Sequence, residues 1–62
     1  MCESNAFLLR PEGEELVLED VAVMEPVDGG YRLRSLFGEE AVVKGRLREV
    51  NLIKHRIVFS ED

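Results

Sequence analysis

Apolar residues along this chain fall in short runs, each closed by a turn sequence. Ala6-Phe7-Leu8-Leu9 stops at Arg10-Pro11-Glu12-Gly13, which reads as a turn. Leu16-Val17-Leu18 lies between Glu14-Glu15 and Glu19-Asp20 and reads as a short strand, with Val21-Ala22-Val23-Met24 following it. Pro26-Val27-Asp28-Gly29-Gly30 then turns the chain, because glycine reaches positive φ without a Cβ clash. Tyr31-Arg32-Leu33-Arg34-Ser35-Leu36 alternates, with Tyr31, Leu33 and Ser35 on one face. Leu36-Phe37-Gly38-Glu39 turns again, and Ala41-Val42-Val43 forms a strand broken at Gly45. The alternation of residues 46–52 points Val50 and Leu52 inward, and Lys54-His55-Arg56 is a polar turn before Ile57-Val58-Phe59.

A helix needs apolar residues at i, i+3, i+4 and i+7. Residues 14–24 come closest, but they fit period two as well and are rich in valine, so no helix longer than one turn is expected. About six or seven short strands predict an all-β chain, one domain over residues 1–62. Closing such a meander into a small SH3-like barrel removes exposed edges and gives a tiny core an inside. The alternative is a flatter open sheet completed by pairing with a second chain. The expected core is Phe7, Leu16, Leu18, Val23, Leu33, Val50, Leu52 and Phe59.

Size sharpens this picture. A 62-residue chain buries about 60% of its unfolded surface, so its core alone stabilises it by only a few kcal/mol. One cysteine forbids an internal disulfide, which leaves a metal or self-association, here a homodimer, as the means of support. The apolar runs are too short to span a membrane, and Met1-Cys2-Glu3-Ser4-Asn5 lacks the start of a signal peptide. An unpaired cysteine without an export signal fits the reducing cytoplasm. Net charge is −5, divided unevenly: −7 over residues 1–30 and +2 over residues 31–62. An acidic domain is a poor default binder of nucleic acid. The basic second half nevertheless offers Arg32, Arg34, Lys44, Arg46 and Arg48 as one possible face for RNA.

Catalytic machinery is nearly absent. His55 is the one histidine and reads as a solvated turn residue; as a metal ligand it would sit between Lys54 and Arg56. The acid pairs Glu14-Glu15, Glu19-Asp20 and Glu39-Glu40 point to opposite sides of a strand and do not converge locally. No phosphate loop or nucleophile elbow appears, so no enzyme is expected. Tyr31 and Phe37 could stack bases. Cys2 stands apart, because a cysteine at position 2 has its own terminus as a chelating neighbour. Terminal amine, deprotonated Cys2 amide and thiolate can close two fused five-membered rings, or one ring if Met1 is removed. Such nitrogen–sulfur fields suit Ni(II), with Cu(II) a strong competitor, and two termini in a symmetric dimer would complete the set. The plain alternative is a free cysteine packing as a small apolar group.

The chain as a whole resembles the CooT family. The likeness rests on Met1-Cys2-Glu3, on residues 14–23, on Leu36-Phe37-Gly38-Glu39, on Val43-Lys44-Gly45-Arg46-Leu47, and on residues 50–58. It implies a dimeric SH3-like β domain that binds Ni(II) through Cys2 and helps to supply nickel to carbon monoxide dehydrogenase. The partners implied are that enzyme, another nickel enzyme, or their maturation factors. Only Cys2 carries over as a ligand. Relatives are also described as predicted RNA-binding proteins, which the acidic charge does not favour.

Overall fold

The structure, a computed structural model, describes residues 3–61. Turn sequences divide those residues into six strands: β1 (Ser4–Arg10), β2 (Gly13–Val27), β3 (Gly30–Ser35), β4 (Glu40–Lys44), β5 (Arg46–Asn51) and β6 (Arg56–Ser60). The fold is all-β, with no helix among the described residues, and none is therefore long and apolar enough to cross a membrane. The strands form one sheet in the order β4-β3-β2-β1-β6-β5, with β1 parallel to β6 and every other pair antiparallel.

Two long excursions of the chain shape this sheet. Residues 16–18 and 21–24, expected as successive strands, belong to the single 15-residue β2. Its first part pairs β1 from Arg10↔Gly13 to Ser4↔Val21, and its second part pairs β3 from Val21↔Ser35 to Val27↔Gly30. Between them lies a corner. Asp20 adopts a φ of 56° and the register shifts on both flanks, the signature of a bulge that bends a strand. The second excursion joins β4 to β5 through Gly45 alone. The two strands sit at opposite ends of the sheet order, so the sheet must curl until its ends meet at this residue.

The sheet is nonetheless not closed into a barrel, which corrects the expected SH3-like closure. Closure would need a ladder between β4 and β5. With one residue between them they follow each other end to end and cannot lie side by side.

The core gathers Ala6, Leu8, Leu18, Leu33, Val43, Ile57 and Phe59, with Val17, Val21, Tyr31, Ala41 and Leu47 packed against it. Leu18, Leu33 and Phe59 are where the alternation put them. Phe7, Leu16, Val23, Val50 and Leu52 are not in the core. In β1 the inward phase belongs to Ala6 and Leu8, which a continuous apolar run could not reveal. Phe7, paired with Leu16, takes the outer face, where the Arg56 guanidinium lies 4.8 Å from its ring centroid. In β5 a register shift between Leu47 and Glu49 breaks the alternation, and Leu52 falls past the strand end.

Gly45 ties these features together. Its φ is +135°, and a Cβ built on it would stand 1.9 Å from the Ser60 carbonyl oxygen. Gly13 has a similar φ of +137° with open space around it. Gly45→Ala is therefore expected to destabilise the fold by about 3 kcal/mol or more, from strain plus displaced backbone. Gly13→Ala should cost only the strain, about 1 kcal/mol. Urea unfolding of the two variants checks the difference.

Candidate metal centre and surface charges

The start of β1 lies at the bend of the sheet. Asn5, the second residue of β1, donates its backbone N–H to the His55 carbonyl at 2.9 Å. Its side-chain oxygen accepts from the Asp20 N–H at 3.3 Å, and the Asp20 carbonyl accepts from the Leu36 N–H at 2.9 Å. One asparagine thus ties the start of β1 to the corner of β2 and to the turn before β6. Glu3, ahead of β1, is exposed and outside any strand. Cys2, the expected metal ligand, lies outside the described residues.

His55 is not the solvated turn residue expected. It is half-buried, with a left-handed φ of 58°, and its Nδ1 is buried without a hydrogen-bond partner among the described residues. The turn it closes is held by Asn51, whose side-chain oxygen accepts the Lys54 N–H at 2.9 Å. Among the described residues, no three His, Cys, Asp or Glu side chains gather as a metal cluster. The expected acid pairs do not converge on one another, because their members are engaged elsewhere or face solvent.

The charges interleave instead of forming a basic face. Arg32 pairs with Glu25 at 2.9 Å and Arg34 with Glu40 at 2.8 Å. Arg10 pairs with Glu15 and lies 3.6 Å from Glu61. Arg56 reaches Glu14 at 2.6 Å. Donating hydrogen bonds to Glu15, Glu25 and Glu14 raises Arg10, Arg32 and Arg56, respectively, above the ordinary guanidinium pKa. All five contacts are exposed or partly so, and they hold local order more than they add stability. Lys44 donates to the Asp28 carbonyl at 3.2 Å. Of the five candidate bases, two are thus matched by acids, and only Arg46 and Arg48 share β5. The two candidate stacking aromatics are also split. Tyr31 packs on Phe59 with ring centroids 5.3 Å apart, whereas Phe37 is 79% exposed.

Alternation reasoning missed the apolar residues carried by turns. In the turn after β3, Ser35 is buried and its hydroxyl accepts the Phe37 and Glu39 N–H groups, each at 3.1 Å, yet Leu36 and Phe37 project into solvent. In the turn after β5, Leu52 and Ile53 do the same. The signal was there to find: two adjacent large apolar residues inside a turn sequence, where no core can reach them.

Comparison with known proteins gives consistent results. The family model described as CO dehydrogenase accessory protein CooT matches residues 1–60. An uncharacterized protein of Methanothermobacter thermautotrophicus is 37% identical over 62 residues, covering all of this chain and 92% of that protein. A crystal structure described as "putative CooT from Carboxydothermus hydrogenoformans" superposes with a TM-score of 0.89 at 34% identity, covering 98% of each chain.

The interleaved acids lead to a test of the RNA reading. A labelled single-stranded RNA should show no saturable change in anisotropy with this protein at about 0.15 M salt. Saturable binding that disappears on combined Arg46→Ala and Arg48→Ala substitution would establish a basic face after all.

Proposed function

The chain belongs to the CooT family of CO dehydrogenase accessory proteins, and from this premise we propose that it is a cytoplasmic nickel carrier serving that enzyme or another nickel enzyme. It is an accessory protein and not an enzyme. Ni(II) is its cargo, held through Cys2 at a site shared by the two chains of a homodimer. The observation that carries this reading is the family match running from residue 1 through Cys2, the chain's one thiol.

The chemistry of the donors suits the cargo. Cys2 is joined to β1 through one residue, Glu3, which is exposed and outside any strand. Thiolate, amide nitrogen and terminal amine make a strong field that favours a square-planar d⁸ ion. One terminus offers one thiolate, and a twofold arrangement supplies the second. A site built on chain ends also suits a carrier, because it can open without unfolding the core.

Nickel titration by calorimetry and absorbance provides the test. One Ni(II) per dimer is expected, with a thiolate-to-metal charge-transfer band. Cys2→Ser should abolish tight binding and leave the far-ultraviolet spectrum unchanged, whereas His55→Ala should keep the stoichiometry. A thiol must lose its proton to bind, so protons compete with the metal. Affinity should therefore fall as pH drops, by about tenfold per pH unit for each proton displaced. Near-native nickel affinity in Cys2→Ser would overturn the assignment.

A further inference from the structure

The turn between β3 and β4 uses its backbone donors to hold its own shape. The Leu36 N–H reaches the Asp20 carbonyl at 2.9 Å, and the Gly38 N–H reaches the Ser35 carbonyl at 3.1 Å. The Phe37 and Glu39 N–H groups share the buried Ser35 hydroxyl, each at 3.1 Å. Gly38 supplies the positive φ, 87°, that reverses the chain. Nothing in this network needs a large apolar side chain, yet the turn carries two: Leu36 is 52% exposed and Phe37 79%. Apolar side chains fixed on a rigid turn lose little freedom on association, which makes them good anchors for a partner.

The charges around these anchors select the partner. Glu39 belongs to the turn, and Asp20, which holds Leu36, follows Glu19. None of these three acids is in an ion pair among the described residues, whereas Glu14, Glu15, Glu25 and Glu40 each meet an arginine. A second copy meeting this turn about a twofold axis would set acid against acid. The phosphates of a nucleic acid would be repelled in the same way, so Phe37 is badly placed to stack on bases. The surface that fits is a protein face with an apolar recess for Phe37 and Lys or Arg at its border.

The turn also stands near the start of the first strand. Ser35 pairs with Val21, which pairs with Ser4, so the end of β3 and the start of β1 are about 10 Å apart. Resting on the reading of an accessory protein, which has to touch the enzyme it serves, we infer that Leu36 and Phe37, with Glu19, Asp20 and Glu39, form the surface that docks on CO dehydrogenase. The receiving face of that enzyme is an apolar recess bordered by Lys and Arg.

Biolayer interferometry of the immobilised full chain against purified CO dehydrogenase lacking nickel, with and without Ni(II) added to the chain, tests this. The wild-type chain should bind, and more weakly at about 0.5 M than at about 0.05 M salt. Phe37→Ser should weaken binding by about tenfold or more. The double variant Glu19→Lys/Glu39→Lys should weaken it as much at low salt and remove most of the salt dependence. Leu52→Ser/Ile53→Ser, in the other exposed apolar turn, should change nothing. All five substituted side chains are exposed, and amide spectra confirm that each variant keeps its fold. A folded Phe37→Ser or charge-reversed chain that binds like wild type would overturn this surface and leave the accessory role in place. Loss of binding in the Leu52/Ile53 variant alone would do the same. Self-association of the wild-type chain that Phe37→Ser abolishes would give the surface to a second copy and overturn the proposal. A wild-type chain that does not bind the enzyme, with or without nickel, would overturn both the surface and CO dehydrogenase as its client.

Discussion

The close approach of Gly45 to the Ser60 carbonyl is the contact on which the rest of the fold depends. A side chain at this point would drive β6 away from the junction of β4 and β5. Without one, the chain passes from one end of the sheet to the other in a single residue. Gly45 also donates its N–H to the Gly29 carbonyl at 2.9 Å, so the same residue anchors the turn between β2 and β3. The curl it enforces gives six short strands an inside, where Phe59 and Leu33 are fully buried. A flat sheet of this length would have left both faces wet.

The second organising point is the corner at Asp20, where β2 changes partners. Strands that serve two neighbours in turn must bend, and a bulge with a left-handed residue does so with little loss of pairing. Asn5 reads this corner directly through its side chain and reaches the β5–β6 turn through its backbone. The start of β1 is therefore held from two sides immediately after the segment that carries Cys2.

Surface charge plays a supporting part. Four ion-paired arginines cross between strands, and Arg56 covers Phe7 on its way to Glu14. Arg56 thus shields an aromatic ring that faces away from the core. Pairing of this kind also removes the uniform positive field on which nucleic-acid binding depends.

The class of the fold was legible in the chain itself. Valine-rich runs at period two and turn sequences at Pro11, Gly29-Gly30 and Gly38 mark strands and their ends through local sterics alone. So was the candidate ligand, since Cys2 is the one thiol and needs no fold to be noticed. The tertiary structure decided what depends on partners distant in sequence. It chose Ala6 and Leu8 over Phe7 for the core, because an unbroken apolar run carries no phase until a neighbouring strand sets its register. It merged two expected strands into β2 and left the barrel open, since pairing and closure are properties of the whole sheet. And it brought His55, fifty positions away in sequence, beside Asn5, because parallel pairing of β1 with β6 sets the starts of the two strands side by side.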